Sequence, residues 1–231
     1  MLKFFLPDRP VLSRVWFGPF RGARIVMNPR NSLRKILGLY EHELNDWLEQ
    51  ALRRVRRVLD VGANDGYFTF GCAAAFRRLG QAGDIIAFEP GERCVALLCE
   101  SLAANAAAGV DAPDRAVCVE IIQTLVGRES KLGTITLDSL AVPRDKTNTL
   151  IKIDVDGPEV DVIEGSRSWL DPANLFVIEV HEQQFIAQLR ALFAEQNLRL
   201  VLVNQRPLPV LGRETRPENN CWLVSDLRTL A

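Results

Sequence analysis

The alternation of short apolar runs with longer amphipathic segments constrains the fold of this chain more than any other feature of its sequence. From residue 58 onward, predicted strands and helices follow one another, and the inner strands are almost entirely apolar. Such strands are typical of a parallel sheet that helices cover on both faces. The sequence therefore predicts a doubly wound α/β domain whose sheet is mostly parallel.

Hydrophobic periodicity and turn residues place the elements of this domain. The predicted strands are Val58–Val61, Ile85–Phe88, Val117–Ile122, Thr134–Leu137, Leu150–Ile153, Leu175–Val180, Leu198–Val203 and Cys221–Val224. The predicted helices cover about residues 65–79, 91–107, a segment after Gly157, and Gln184–Gln196. No helix is predicted between the last two strands, so we expect them to pair antiparallel at one edge of the sheet.

Residues 1–57 are predicted to be a small extension, and residues 58–231 the main domain. Turn residues around short apolar stretches predict a hairpin or edge strand pair within Gly18–Asn28. A helix is predicted over Tyr40–Arg54. The basic run Arg53–Arg57 is expected to end this helix, because positive charges are favourable at the C-terminal end of the helix dipole. Its apolar face is expected to dock on the main domain. The apolar positions of that face are Leu44, Leu48, Leu52 and Val55, widened by Trp47.

Charge is divided unevenly along the chain, although the net charge is −1. Residues 1–57 carry 12 Lys and Arg against 5 Asp and Glu. Two explanations stay open for this excess of basic residues. It either forms a solvated face beside an acidic domain or attracts an anionic partner.

Cysteine spacing and hydropathy exclude several classes of protein. The five cysteines are odd in number, and no two have the C-x₂-C spacing of a zinc site. We expect free thiols in a reducing compartment, which indicates a cytoplasmic protein. No apolar run approaches the ~20 residues of a membrane span. Two histidines are too few for a multi-histidine metal site.

A glycine-containing turn follows the first predicted strand of the domain. Asp60 lies late in that strand, Gly62 permits close approach of a ligand to the backbone, and Gly66 lets the next helix pack closely. Glu89 lies at the tip of the second strand, where an acidic residue can accept hydrogen bonds from ribose hydroxyls. Together these residues indicate a nucleoside-containing ligand. The alternative is that Gly62 and Gly66 only shape the turn.

Asn64 distinguishes between nucleoside ligands. A dinucleotide site needs a glycine at this position so that the pyrophosphate can reach the helix N-terminus. Asp65 adds a negative charge there, which disfavours phosphates and suits a ligand with ammonium and sulfonium groups. S-adenosylmethionine is such a ligand.

A second group of polar residues follows two later strands. Lys152 and Asp154 end one apolar strand, and burying them without partners is costly. Asp156 and Glu159 follow, and Glu159 is explained as an acid that complements the helix dipole. His181 ends the next strand and is interpreted equally well as a structural residue or as a catalytic one.

These motifs together resemble the FkbM family of S-adenosylmethionine-dependent methyltransferases. They occur in order over about residues 37–182, and the combination is more specific than any one motif. The matching stretches are Leu39–Glu41, Val58–Thr69, Ala87–Pro90, Leu137–Asp138, Ile151–Glu159 and Ile178–His181.

The resemblance implies a class I methyltransferase fold, Rossmann-like with a seven-stranded sheet, and methyl transfer from S-adenosylmethionine to a hydroxyl oxygen. The acceptor class it implies is a sugar, a glycan or another small molecule such as a secondary metabolite, and no nucleic acid. The donor-binding residues carried over are Asp60, Gly62, Ala63, Asn64, Gly66, Tyr67, Glu89, Pro90, Tyr40, Glu41 and Asp156. The catalytic residues carried over are His181, Asp154 and Lys152, and no metal is expected.

Two positions depart from the family pattern. Thr124 begins the stretch after the third strand, where many class I enzymes place an acidic residue near the adenine amino group. Asp156 stands where glutamate is the commoner family residue. The first departure concerns the adenine contacts, and the second shortens a side chain by one methylene.

Several alternatives stay open at this point. The general base is either His181 or Asp154, and Asp154 can instead orient the acceptor or, with Asp156, hold a divalent cation. Two other classes of protein also stay open. One is an NAD-linked oxidoreductase, which Asn64 disfavours, and the other is a non-catalytic nucleoside-binding protein of the same fold.

The extension has two interpretations. In the first, docking brings Tyr40 and Glu41 over the methionine end of the donor, with Glu41 accepting from its ammonium group. Five basic residues then rim the acceptor entrance and favour an anionic substrate. In the second, the segment only covers apolar surface. The five basic residues are Arg21, Arg24, Arg30, Arg34 and Lys35.

Overall fold

A computed structural model describes residues 6–107, 116–141, 146–155, 157, 159–208 and 220–228. The strands are β1 (Val11–Arg14), β2 (Arg24–Met27), β3 (Arg57–Val61), β4 (Gly83–Phe88), β5 (Val117–Ile122), β6 (Leu125–Val126), β7 (Thr134–Ile135), β8 (Thr149–Ile153), β9 (Leu175–Val180), β10 (Leu200–Asn204) and β11 (Cys221–Ser225). The helices are α1 (Leu33–Ile36), α2 (Asn45–Ala51), α3 (Tyr67–Leu79), α4 (Glu92–Ala106), α5 (Glu159–Glu164) and α6 (Gln183–Ala194). Short 3-10 turns cover His42–Leu44, Leu137–Ser139 and Arg167–Trp169.

Seven strands of the described residues form one sheet in the order β10-β11-β9-β8-β3-β4-β5. Strands β3, β4 and β5 pair in parallel, as do β8 and β9. Strand β11 pairs antiparallel with both β9 and β10. The predicted mostly parallel, seven-stranded sheet with an antiparallel C-terminal edge is therefore confirmed.

The chain divides into two compact units, Met1–Gln123 and Thr124–Ala231. The first contains β3, β4 and β5 with α3 and α4, and the second contains β8 to β11 with α5 and α6. Strands β8, β9 and β11 are buried along their whole length, as their apolar composition predicts. The predicted boundary at residue 57 concerns an added segment and stays a prediction. None of the helices described is long and apolar enough to cross a membrane.

The N-terminal hairpin differs from its prediction. Strand β2 lies within the predicted Gly18–Asn28, but its antiparallel partner is the earlier β1. Residues between them form the connection, which Gly18 and Gly22 allow through positive φ values of 74° and 94°. The period-two alternation of β1, with one half-buried and one exposed face, is only four residues long, so the pattern gives a weak signal.

The predicted helix Tyr40–Arg54 is shorter than expected at both ends. Glu41 adopts a left-handed backbone with φ of 51°, so a 3-10 turn and then α2 begin only after it. Helix α2 ends at Ala51 and has no basic residue in its last turn, so the predicted closure by basic residues is wrong. The predicted apolar face is nevertheless buried at all four positions, namely Leu44, Leu48, Leu52 and Val55.

The predicted strand Thr134–Leu137 also differs from its prediction. Only Thr134 and Ile135 are extended, and they pair in parallel with β6 in a separate two-stranded sheet. Leu137 instead begins a 3-10 turn, where the Thr136 hydroxyl accepts a hydrogen bond from the Ser139 N–H. The polar side chains around this apolar stretch favour a local turn over a long strand.

The N-terminal hairpin docks on helices α3 and α4 of its own unit. The Phe20 ring packs edge-on against Tyr67 and Phe68, with centroids 5.2 and 5.4 Å away. The Val26 N–H donates to the buried Ser101 hydroxyl at 2.8 Å. Because a backbone N–H of β2 donates to a side chain of α4, a hydrogen bond as well as apolar packing holds the segment in place.

Gly71 allows this docking because Phe20 fills the space beside it. A Cβ atom at Gly71 would lie 2.4 Å from the Phe20 ring. Alanine favours an exposed helix by about 1 kcal/mol over glycine, but overpacking costs about 1–3 kcal/mol. We therefore expect Gly71→Ala to lower the free energy of unfolding, measured by urea denaturation. In a Phe20→Val background the same change is expected to be neutral or stabilising, and equal losses in both backgrounds would contradict the contact.

Candidate active site

The first unit holds the glycine turn that follows β3. Gly62, with φ of 78°, and Ala63 donate their N–H groups to the Phe88 carbonyl at 3.0 and 3.1 Å. Gly66, with φ of 85°, precedes α3, and a Cβ there would lie 2.7 Å from Leu98. Both glycines therefore adopt a left-handed backbone conformation, and Gly66 also allows α3 to pack closely against Leu98.

Glu89 connects the tip of β4 to this turn. One carboxylate oxygen accepts from the Asn64 N–H at 2.8 Å, and the other accepts from the Gly91 N–H at 2.9 Å. The side chain is nearly buried, and Pro90 after it is exposed. Each carboxylate oxygen has a second acceptor site. Glu89 can therefore shape the turn and still accept from a ligand hydroxyl.

Asp65 and Lys35 form an ion pair beside the start of α3. The Lys35 Nζ lies 2.6 Å from the Asp65 Oδ2, and both side chains are largely buried. The same ammonium lies 4.9 Å from the centre of the Tyr40 ring and 5.6 Å from that of Tyr67. Tyr40 packs edge-on against Tyr67 at 5.5 Å. The structure thus places Tyr40 beside Tyr67 at the start of α3 and places Lys35 in a contact that the sequence does not indicate; the contact of Tyr40 with the donor stays a prediction.

Glu41 and Asp60 are both buried. Glu41 lies directly after Tyr40 in a left-handed conformation, which is uncommon for a non-glycine residue and fixes the direction of its side chain. Asp60 is completely buried and accepts a hydrogen bond from the Thr69 hydroxyl of α3. This bond joins β3 to α3 across the turn, so Asp60 holds the turn in shape.

The turn does not suit a pyrophosphate. Phosphate loops present unpaired backbone N–H groups at a helix N-terminus. Here the Asn64 N–H is already bonded to the Glu89 carboxylate, and the Asp65 carboxylate accepts from the Tyr67 N–H at 3.2 Å. The Asn64 N–H is therefore already used, and the Asp65 carboxylate lies at the helix N-terminus where a phosphate would otherwise bind. The exposed Asn64 has a left-handed φ of 49°, which asparagine tolerates better than most residues.

The second unit holds a group of charged residues after β8 and β9. Lys152 is almost completely buried, and its Nζ lies 3.1 Å from the Asp154 Oδ2. Burial alone would raise the pKa of Asp154, but the Lys152 ammonium and a hydrogen bond with Glu179 outweigh it and lower that pKa. Asp154 is therefore a carboxylate at neutral pH and a weak base.

His181 is paired with Glu159, the first residue of α5. The imidazole Nδ1 lies 2.6 Å from the Glu159 Oε1, which also accepts from the His181 backbone N–H at 3.1 Å. Glu159 is fully buried. The hydrogen bond to Glu159 raises the pKa of His181, and the nearby Glu179 adds to this effect. The interpretation of Glu159 as only a helix-dipole acid is therefore incomplete.

Glu179 joins this group from the end of β9. Its carboxylate accepts from the Asn220 side-chain amide at 3.2 Å. Asp154, Glu179 and His181 each offer one ligand atom, and these atoms lie within 4.8 Å of one another. The cluster can hold a divalent cation. Lys152 already neutralises part of its charge, and the raised pKa of His181 makes protons compete with a metal for the imidazole.

Sequence reasoning and structure agree on some of these residues and not on others. Lys152, Asp154 and His181 do lie together in the second unit. Asp156, predicted to bind the donor, lies outside the described residues. Glu179 was not among the predicted site residues, although an acid at the end of an apolar strand is the kind of signal that identified Asp154.

Comparisons with known proteins now bear on this geometry. The model of the methyltransferase FkbM domain matches residues 60–200, more than half of the chain. The crystal structure of an FkbM methyltransferase from Methylobacillus flagellatus is similar with a TM-score of 0.56 at 15% identity, over 75% of this chain. This chain spans only 44% of the length of that protein. The methyltransferase domain of METTL16 is similar with a TM-score of 0.50 at 11% identity, over 87% of this chain and 69% of that one. Among curated proteins, none matches the chain significantly.

The sheet order and these structural neighbours define the fold as that of a class I methyltransferase. The match over residues 60–200 goes further, and the chain belongs to the FkbM methyltransferase family.

Proposed function

We propose that this protein is an S-adenosylmethionine-dependent enzyme that methylates a hydroxyl oxygen of a sugar, a glycan or another small metabolite. The His181–Glu159 pair carries this proposal. An alcohol holds its proton tightly and is a poor nucleophile, so its methylation benefits from a general base by about 10²–10⁴-fold. An imidazole supported by a buried carboxylate is such a base.

The donor site of the proposal is the glycine turn of the first unit. When bound, S-adenosylmethionine supplies a methyl group on a positively charged sulfur. Glu89 accepts from ribose hydroxyls, and the backbone at Gly62 and Ala63 allows the nucleoside to approach closely. Tyr40 and Glu41 bind the amino-acid end, where the Glu41 carboxylate accepts from the ammonium group. Asp60 acts through Thr69 as a positioning residue.

The acid–base chemistry of the proposal belongs to the second unit. Glu159 holds the Nδ1 proton of neutral His181, so Nε2 takes the proton from the acceptor hydroxyl. The oxygen–methyl bond forms as the carbon–sulfur bond breaks, and the proton ends on His181. The buried Glu159 carboxylate stabilises the imidazolium that results. Lys152 and Asp154 orient the acceptor, since the lowered pKa of Asp154 makes it the weaker base.

The same geometry argues against the two alternatives. An NAD-linked oxidoreductase needs a pyrophosphate site at the start of α3, which Asn64 in place of glycine and the Asp65 carboxylate disfavour. A protein that only binds a nucleoside does not need a histidine that is hydrogen-bonded to a buried carboxylate, as His181 is to Glu159. No metal enters the proposal, because Lys152 supplies positive charge to Asp154.

Transfer of a labelled methyl group tests the proposal. The protein is incubated with methyl-labelled S-adenosylmethionine and a panel of hydroxyl-bearing sugars, glycans and metabolites, with and without EDTA. We expect label in an ether product and release of S-adenosylhomocysteine, unchanged by EDTA. Label on nitrogen or carbon would contradict the hydroxyl acceptor. Activity lost with EDTA and restored by Mg²⁺ would instead assign Asp154, Glu179 and His181 to a metal.

A further inference from the structure

A basic cavity lies in the first unit, at the other end of α3 from the glycine turn. Its volume is about 600 Å³, and it lies between the N-terminal hairpin and the C-terminal half of α3. Tyr67 and Arg78 are 11 residues apart, which is roughly 16 Å along a helix. The cavity is therefore separate from the donor site. Five arginines are among its lining residues, namely Arg14, Arg21, Arg24, Arg77 and Arg78.

The described lining of this cavity is basic. Its described lining contains no acidic side chain. Glu49 contacts two of the arginines, at 2.7 Å from Arg21 and 3.7 Å from Arg78. Burial and the neighbouring Arg21 lower the pKa of Arg78, as expected where cations crowd together. Glu49 therefore contacts two of the five guanidinium groups of the lining.

Two of the arginines face each other across the hairpin. Arg14 and Arg24 are direct partners in the antiparallel register of β1 and β2. Like charges at such positions destabilise a strand pair. Arg77 and Arg78 lie in the last turn of α3, where cations complement the helix dipole. That explanation does not extend to Arg14 and Arg24, which belong to strands.

An exposed aromatic side chain adjoins the charge. Trp16 lines the cavity and is 60% exposed, and Phe17 beside it is 61% exposed. Large aromatic rings are enriched where a partner has both apolar and polar parts. The cavity therefore offers a cluster of guanidinium donors with an aromatic ring at its side.

We propose that this cavity binds a phosphate-bearing ligand, with Arg14 and Arg24 donating to phosphate oxygens. Guanidinium groups match phosphate oxygens in a two-pronged geometry. Trp16 packs against the ring or apolar part of the same ligand. The volume suits a small molecule or a head group. A soluble phosphate ester and a phospholipid head group share this chemistry. The site is independent of the proposed methyl transfer.

Quenching of tryptophan fluorescence by acrylamide tests this site. Trp169 and Trp222 are buried and Trp47 is partly buried, so Trp16 is the most exposed of the four tryptophans and contributes strongly to the quenched signal. The probes are inorganic pyrophosphate, phosphatidylcholine vesicles, and phosphatidylcholine vesicles containing phosphatidylglycerol, all at matched ionic strength. We expect saturable protection of Trp16, absent in Trp16→Phe. Protection by pyrophosphate alone assigns a soluble phosphate, and protection only by the anionic vesicles assigns a lipid head group. No protection by any probe would overturn the proposal.

A paired variant separates binding from structure. In Arg14→Gln/Arg24→Gln we expect affinity for the effective probe to fall at least tenfold, because charged hydrogen bonds to phosphate are lost. The melting temperature without ligand is expected to stay or rise, since the like-charge pair is removed. Arg199→Gln/Arg206→Gln, at two exposed arginines outside the cavity lining, is the control with the same change of charge. Wild-type affinity in the paired variant, or a fall in melting temperature alone, would contradict a binding site.

Discussion

Replacing His181 with alanine is expected to lower kcat by about 10²–10⁴-fold, the range that a general base supplies. The dissociation constant of S-adenosylmethionine, measured by calorimetry, is expected to stay unchanged, because the glycine turn that binds the donor belongs to the first unit. Full turnover in His181→Ala would show that His181 is not the base. An equal loss of kcat and of donor affinity would instead indicate a structural role.

The pH dependence of kcat follows from the same pair. His181 acts as a base only when it is neutral, and the hydrogen bond to Glu159 raises its pKa. We therefore expect kcat to rise with pH through a midpoint above the ordinary histidine value of about 6.5. Glu159→Gln removes the carboxylate charge, so the midpoint is expected to move down and kcat to fall. Glu164→Gln, in the same helix and paired with Arg128, is the matched control and should leave the profile unchanged.

Glu89→Ala is expected to weaken binding of S-adenosylmethionine by about 1.5–3 kcal/mol, roughly 10- to 150-fold, through loss of charged hydrogen bonds to ribose. The variant also frees the Asn64 and Gly91 N–H groups that Glu89 accepts from. Calorimetry measures the affinity for S-adenosylmethionine, and thermal unfolding measures how much the hydrogen bonds of Glu89 within the turn contribute to the stability of the protein. Glu89→Gln keeps the size of the side chain and should lose less affinity than Glu89→Ala.

A control variant makes this result specific. Glu92 lies in the first turn of α4, three residues after Glu89, and is exposed. Glu92→Ala removes the same charge from the same region without touching the turn, and its donor affinity is expected to match the wild type. Unchanged affinity in Glu89→Ala would remove the ribose assignment. Equal losses of donor affinity in Glu89→Ala and Glu92→Ala would show that the effect comes from the change of net charge and not from contacts of Glu89.

The sheet and its strand ends could be predicted because they depend on local patterns. The apolar runs that became β3, β4 and β9 have a length and composition that only buried strands explain, and Glu89 and Asp154 interrupt such runs at their ends. The left-handed Glu41 could not be predicted in this way. No glycine marks the position, and it shortens a helix whose periodicity is otherwise sound.

The ion pairs of the candidate sites could not be predicted, because tertiary packing determines them. Glu159 and His181 are 22 residues apart in sequence, and Lys35 and Asp65 are 30 apart. Sequence alone identifies each charge but not its partner.

The basic N-terminal residues illustrate the same limit. In one of the two interpretations they rim the acceptor entrance; in the structure Arg21 pairs with Glu49, Arg30 pairs with Asp8, and Lys35 pairs with Asp65. Arg21 and Arg24 line the basic cavity at the far end of α3 instead. An excess of charge in a segment therefore indicates that anions are attracted, but the fold decides which surface attracts them.

The measurement that tests the central claim most directly is a calorimetric titration of the wild-type protein with S-adenosylmethionine and, separately, with NAD⁺. Glu89 as a ribose ligand predicts saturable, one-to-one binding of S-adenosylmethionine, and Asn64 with the Asp65 carboxylate at the start of α3 predicts no binding of NAD⁺. Saturable binding of NAD⁺ without binding of S-adenosylmethionine would contradict the account.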